Sequence, residues 1–323
     1  MENENTVIGI DIGGTKISAA LFTCGGEILL KNILPVANKK GYEVIDLIEK
    51  MVSALIEHAN NDNLKVSSIG VCVPGIYNPT KKTVWAPNIS GWDHISLYEE
   101  LKKRINNSSI KVFIDSDRSC YILGEIWKGA AKDCTDAIFI SVGTGIGVGI
   151  LSGNQILRGK SGISGAVGWV ALEPPFKDKY KTCGNFEYYA SGNGIARSAV
   201  ELLRDYENET AFKSIPLTQL TSYDVFRAYG ENDPVAIKVI DKAILYWGMA
   251  VANLVSIFNP EKVIFGGGIF GPAARFINRI KKEAEKWAQP LSIKETSIEI
   301  SALGGDAGLI GAGYLAIKSI KEK

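Results

Sequence analysis

The chain has 323 residues, 46% of them hydrophobic and 22% charged, with a formal net charge of +1. That length suits two domains or one large one, and the balanced charge gives no electrostatic case for nucleic acid or an anionic membrane as partner. The longest apolar stretches are too short to span a bilayer, and the polar start Met1–Thr6 is unlike a signal peptide.

Val7–Ser18 reads V-I-G-I-D-I-G-G-T-K-I-S. Val7, Ile8 and Ile10 suggest a buried strand, and Ile17 to Phe22 its return. Between them stand Asp11, Gly13, Gly14, Thr15 and Lys16. Paired glycines let bare N–H groups approach an anion. Thr15 adds a hydroxyl, Lys16 a compact charge, and Asp11 a hard oxygen suited to Mg²⁺ or its water. Such a stretch serves equally as a plain hairpin or as a triphosphate loop.

Val44, Leu47, Ile48, Met51 and Leu55 recur at helical spacing over 42–60. Ser68 to Val73 is a strand ending at Pro74-Gly75, and a strand end of this kind is where open α/β sheets bind ligands. The loop from Trp85 to Trp92 carries one amide, Asn88. It is either a surface loop pinned by two tryptophans or a sugar wall. A helix is expected over 97–105 and a strand over 111–114. Asp115-Ser116-Asp117 then precedes a helix over 118–128; the carboxylates suit acid–base work, and Asp or Ser there also caps a helix.

A strand over 135–142 leads into Gly143-Thr144-Gly145-Ile146-Gly147-Val148-Gly149, with a return strand after it. The chain thus holds two strand–glycine–threonine–strand units, and two such hairpins together can clamp a triphosphate. Residues 172–183 read as an irregular loop, and a helical region starts at Glu187. A long apolar helix is expected over 234–258, and a strand over 262–265 ends in Gly266-Gly267-Gly268. That third turn either admits a flat adenine ring to the backbone or is a simple strand-to-helix turn. A helix over 272–287, a strand over 297–300 and a last helix opening at Gly304-Gly305-Asp306 complete the chain. Five cysteines, Cys24, Cys72, Cys120, Cys134 and Cys183, are odd in number and scattered, which points to a reduced cytoplasmic compartment. His58 and His94 stand far apart in sequence, so a His-rich metal site is not expected.

These motifs, taken in order, resemble the ROK family of sugar kinases and repressors, within the actin/hexokinase-like superfamily. They are G-I-D-I-G-G-T-K (9–16), V-C-V-P-G (71–75), A-P-N-I-S-G-W (86–92), I-D-S-D (114–117) with Glu125, V-G-T-G-I-G-V-G (142–149), Y-A-S-G (189–192) and V-I-F-G-G-G-I (263–269). The resemblance implies a two-lobed α/β fold of the actin-like, ribonuclease H-like ATPase class with a cleft between lobes. The expected lobes are 1–116 plus 305–323, and 117–304. It implies Asp117 as general base on a sugar hydroxyl, with ATP as phosphoryl donor. Asp11, Gly13, Gly14, Thr15 and Lys16, with Gly143, Thr144 and Gly145, would surround the phosphates and Mg²⁺. Gly266, Gly267 and Gly268 would lie against adenosine, and Gly75, Asn88 and Glu187 match sugar-contacting positions. A homodimer is the usual state in the family. No helix-turn-helix segment is read ahead of the first strand, so a likeness to the repressor branch is not expected.

The chain departs from the family pattern at its sugar side. Where the family has G-E-x-G-H, this chain has Gly165-Ala166-Val167-Gly168-Trp169. Where it has C-x-C-G-x-x-G-C-x-E, this chain has Lys181-Thr182-Cys183-Gly184-Asn185-Phe186-Glu187, about three residues shorter. One of four zinc ligands survives, so no structural zinc is expected; an apolar contact of Trp169 with Phe186 is expected to hold the loop instead. The usual Asn before the catalytic Asp is Ser116. The changes to Ser116, Ala166 and Trp169 point away from free glucose as best substrate and toward a glycoside, a modified hexose or a cyclitol. The alternatives are a non-catalytic sugar-binding regulator on the kinase scaffold, or an actin-like filament protein.

Overall fold

The computed structural model describes residues 5–321, with side chains to residue 318. The first unit opens with β1 (Asn5–Ile12), β2 (Lys16–Thr23), β3 (Ile28–Pro35), α1 (Tyr42–Asn61) and β4 (Lys65–Val73). The small hairpin β5 (Ile76–Asn78) and β6 (Thr83–Trp85) follows, then α2 (Leu97–Ile105), β7 (Lys111–Ser116) and α3 (Asp117–Lys128). The second unit holds β8 (Ala137–Val142), β9 (Ile146–Ser152), β10 (Gln155–Ile156), α4 (Asn185–Ala190), α5 (Gly192–Leu203), α6 (Ser222–Gly230) and α7 (Pro234–Phe258). It closes with β11 (Lys262–Gly266), α8 (Ile277–Trp287), α9 (Ser292–Glu295) and β12 (Ser297–Ile300). The last helix, α10 (Ala307–Lys321), returns to the first unit.

Both sheets follow one path. The first runs β3-β2-β1-β4-β7 and the second β10-β9-β8-β11-β12. In each, a glycine hairpin joins an antiparallel pair, β1 with β2 and β8 with β9. The strands beyond, β4 and β7 or β11 and β12, run parallel to the hairpin's first strand or to each other. This repeated mixed sheet is the α/β actin-like, ribonuclease H-like fold.

The middle of β1, Val7 to Ile10, is an apolar run because both of its faces are covered. Ile8 and Ile10 pack with Val44 and Ile48 of α1. Val7 packs with Leu309 and Ala316 of α10 on the other face. There the helix lies so close that a Cβ on Gly9 would stand 2.7 Å from the Gly313 amide. In the second unit, Ile138 and Ile140 of β8 pack into the core that α7 dominates. Helix α7 starts where Asp233 accepts the Val235 and Ala236 N–H groups, with Pro234 at its first position. Among the described residues no helix is long and apolar enough to cross a membrane.

The division between units differs from the sequence expectation. The first unit comprises Met1–Asp133, Ile156–Ser164 and Gly305–Lys323, and the second Cys134–Gln155 and Gly165–Gly304. The boundary expected at 116/117 lies after Asp133 because α3 packs on α10 without room for a methyl group. A Cβ on Gly311 would sit 1.7 Å from the Cys120 carbonyl oxygen, and one on Gly124 2.5 Å from that of Ala307. The segment Ile156–Ser164 joins the first unit through two arginines described below.

Candidate active site

In the first unit, β7 delivers Asp115, Ser116 and Asp117 to the start of α3. Ser116 is the helix cap: its buried Oγ accepts the Ser119 N–H and reaches Ser119 Oγ at 3.3 Å. Capping is therefore done by the serine, and Asp117 is left for other work. Its Oδ1 accepts the Arg118 N–H at 2.8 Å. Burial pushes the Asp117 carboxyl up to about 6, against the opposing pull of the Arg118 charge and N–H. The Asp11 carboxylate nearby pushes the same way as burial.

Asp11 lies on β1 beside Cys72 of β4 in the sheet register. Burial raises its carboxyl from the ordinary range; the Cys72 thiol and the Lys16 charge oppose this, and Asp306 reinforces it. A Cβ on Gly308 would lie 2.7 Å from Asp11 Oδ2, so the start of α10 leaves this carboxylate a cradle without side chains. Asp306 is itself held by Lys31 at 2.7 Å. The turn after Asp11 closes through the Gly13 N–H donating to Lys16 O at 2.9 Å, with Gly14, Thr15 and Lys16 exposed. Asn88 comes to this turn: a Cβ on Gly14 would sit 3.0 Å from the Asn88 carbonyl oxygen. Of the two loop tryptophans, Trp92 is buried and donates its indole N–H to Gly41 O, while Trp85 is 41% exposed. Gly75 lies just beyond β4, where a Cβ would stand 2.2 Å from Trp85 O. Asp11, Gly13 to Lys16, Gly75, Asn88, Ser116 and Asp117 thus all belong to one unit.

The hard oxygen of Asp11 in its open cradle fits Mg²⁺. Among the described residues no cluster of three or more His, Cys, Asp or Glu gathers for a metal. Mg²⁺ does not need one, since it keeps waters and shares one or two carboxylates with phosphates.

In the second unit, the Gly143 N–H donates to Gly145 O at 2.9 Å and closes the second turn. Thr144 is exposed. Glu187 of α4 sits against this turn, its Oε2 accepting the Ile146 N–H at 2.7 Å. Burial raises the Glu187 carboxyl above its usual range, while that N–H and the Arg197 charge lower it. Gly168 lies against the same carboxylate, 2.9 Å from its Oε2 if given a Cβ. One feature gave no signal beyond the Y-A-S-G motif: α5 begins at the turn. Ser191 caps α5 by accepting the Gly194 N–H, and the Gly192 N–H donates to Gly143 O at 2.8 Å. A helix N-terminus favours anions. Gly266 and Gly267 are glycines for packing, since a Cβ would meet Phe139 Cζ at 2.3 Å or Val142 O at 2.4 Å. Gly268 is open except toward the exposed Tyr223, whose hydroxyl donates to its carbonyl at 3.3 Å. Tyr223 has no sequence signature.

The expected Trp169–Phe186 clasp is replaced by a polar one. Phe186 is fully buried in the core, whereas Trp169 is 57% exposed. The loop is held by Asn185, whose Oδ1 accepts the Leu172 and Glu173 N–H groups. Glu173 in turn accepts the Tyr246 hydroxyl and pairs with Lys242. Trp169 lines a cavity of about 570 Å³ with Leu172, Pro174, Phe176 and Tyr180. The residues present do not fit a four-ligand zinc site: Ala166 and Trp169 offer no ligand, and Cys183 Sγ faces Arg197 Nη1 at 3.7 Å. Elemental analysis of the purified protein is expected to give far less than one zinc per chain; a stoichiometric value would overturn this.

The chain is 32% identical over 317 residues to a glucokinase of Halalkalibacterium halodurans, covering 95% of this chain and 94% of the relative. It is 27% identical to a xylose repressor of Bacillus spizizenii, covering 96% of this chain and 77% of that protein. A ROK family glucokinase from Streptomyces griseus, solved in complex with glucose and AMPPNP, superposes with a TM-score of 0.75 at 28% identity, covering 97% of this chain and 99% of that one. The ROK family profile matches residues 7–319, and the chain belongs to the ROK family.

Proposed function

We propose that this protein transfers the γ-phosphoryl group of ATP, with Mg²⁺, to a hydroxyl of a sugar or sugar-like alcohol. The observation that carries the reading is Asp117: a half-buried carboxyl at a helix start, freed from capping by Ser116 and raised to about 6 by desolvation. A carboxylate of that pKa is ionised at neutral pH and still a better proton acceptor than an ordinary aspartate. It takes the proton of the acceptor hydroxyl as that oxygen bonds to the γ-phosphorus and the bond from that phosphorus to the β,γ-bridging oxygen breaks, with ADP leaving. Asp11 would hold Mg²⁺ through water, and the ion when bound neutralises phosphate charge. In the first unit the backbone N–H groups of the glycine turn and Lys16 suit phosphate, and in the second unit the glycine turn and the start of α5 do so too. Tyr223 beside Gly268 offers a ring face to adenine. Similarity to glucokinases supports the class of reaction.

Three sugar-side positions support a less polar or bulkier acceptor than glucose. The Ser116 hydroxyl is committed to capping, Ala166 has no hydrogen-bonding group, and Trp169 presents an exposed indole. A glycoside, a modified hexose or a cyclitol fits that set. Similarity to xylose repressors favours a second reading, a sugar-binding regulator without turnover.

A coupled assay of ATP consumption across hexoses, amino sugars, glycosides and cyclitols separates the two. The expected result is phosphorylation of at least one acceptor, with kcat/KM for glucose about tenfold or more below the best. Background ATP consumption with every acceptor would overturn the kinase reading in favour of the regulator.

A further inference from the structure

The segment Ile156–Ser164 leaves the second unit, joins the first, and goes back. It is closed on itself by the Ser164 N–H donating to Arg158 O at 3.1 Å. Its fastenings fall on the residues around Asp117. Arg158 donates its Nε–H to Asp115 Oδ2 at 2.7 Å, and its Nη2 is ion-paired with the same oxygen at 2.7 Å. Asp115 is a buried carboxylate whose Oδ1 accepts the Ser116 N–H at 2.8 Å, so the arginine compensates a charge that would otherwise be costly. From the other side Arg118 spreads its guanidinium over three carbonyls. Nη1 donates to Ile163 O at 3.2 Å, and Nη2 to Gly162 O at 3.2 Å and Gly75 O at 3.4 Å. Gly162 itself lies against the β5 strand, where a Cβ would stand 2.7 Å from Tyr77 O.

One guanidinium therefore ties the turn at Gly75 to this segment, and it belongs to the residue after Asp117. A loop that merely covered the surface would have no reason to anchor at both ends of Asp115-Ser116-Asp117-Arg118. We propose that Ile156–Ser164 is a wall of the acceptor-alcohol site, and that Arg118 and Arg158 are positioning residues that hold it beside Asp117. This rests on the reading of Asp117 as the base. Guanidinium is suited to the task, since its planar fork reaches several acceptors at once and keeps its charge at any working pH.

The test uses Arg118→Met, Arg118→Lys and Arg158→Met in the full chain, with glucose, N-acetylmannosamine and methyl β-glucoside as acceptors. Each methionine variant is expected to raise the acceptor KM about tenfold or more while the ATP KM stays within about twofold, and Arg118→Lys to recover part of the loss. A fall in kcat with acceptor KM unchanged, or equal rises in both KM values, would overturn the proposal. Trypsin gives a readout apart from turnover, because Lys160 lies exposed in the segment. Saturating acceptor is expected to slow cleavage after Lys160 in the unaltered protein and not in Arg118→Met. Cleavage that none of the three acceptors slows in the unaltered protein would overturn the wall. If Asp117→Asn kept its turnover, the base reading would fall, yet a selective acceptor-KM rise in the arginine variants would still support the wall.

Discussion

Asp117→Asn is expected to lower kcat by about a hundred- to ten-thousandfold, the range that a positioned general base contributes. The amide has nearly the shape of the carboxylate and can still accept the Arg118 N–H, so ATP and acceptor should bind with little change. In the unaltered protein the acid limb of kcat/KM should turn at about pH 6, where the carboxyl takes up its proton. The same substitution has a second consequence, of opposite sign. A carboxyl whose folded pKa is raised above its unfolded value of 3.8 holds more protons folded than unfolded between about pH 4 and 6. Stability contributed by this group is thus lost as pH rises through that window. Above about pH 6 the folded protein bears the full cost of the buried charge, of order 1–3 kcal/mol after allowing for partial exposure. Asp117→Asn removes that cost. The variant should melt above the parent at pH 8, with the gap closing toward pH 4. A variant that melts lower at both pH values would show that Asp117 is held by favourable contacts rather than against desolvation, and the base assignment would lose its physical ground.

The glycine turns and the strands leading to them were legible because their chemistry is local. A buried strand covered on both faces needs an apolar run, and a tight turn beside it needs glycine, so β1, β8 and their hairpins could be read directly. The helices α1, α2 and α7 showed their faces in the same way. Strand β3 left no signal because it is a half-exposed edge carrying Lys31 and Asn32 within its apolar residues. The expected helix over 272–287 is split: Pro272–Phe276 forms a 3-10 turn before α8. The helical region at Glu187 is two helices, broken where Ser191 ends α4 and caps α5. For the candidate site, side chains carried by the motifs could be named from the sequence, whereas Tyr223, Arg118 and Arg158 could not. Each of those acts across a gap of more than forty residues, or from a position where arginine or tyrosine is ordinary surface composition. The displaced unit boundary has the same origin, since the fit of α3 on α10 depends on Gly124 and Gly311 facing backbones far away in sequence.

Two glycines that look alike in the sequence should fail in opposite ways, and the pair separates architecture from chemistry. On Gly70 of β4 a methyl group would sit 1.9 Å from the Ala312 carbonyl oxygen and 3.1 Å from the Ala316 amide. Neither can yield without lifting α10 from the sheet, so Gly70→Ala should cost about 3 kcal/mol or more in denaturant unfolding. Lifting α10 also withdraws Gly308 from the Asp11 carboxylate, so turnover should fall with stability. On Gly143 a methyl group would meet nothing within 4 Å, and the backbone there is not left-handed. Gly143→Ala should therefore unfold within about 0.5 kcal/mol of the parent. If the second turn cradles phosphate, the added methyl group occupies the space that the anion needs. The ATP KM should then rise about tenfold or more with the acceptor KM unchanged. An ATP KM left unchanged at unchanged stability would remove the second glycine turn from the nucleotide site. A comparable stability loss in both variants would mean that Gly143 is architectural, as Gly70 in mid-strand is.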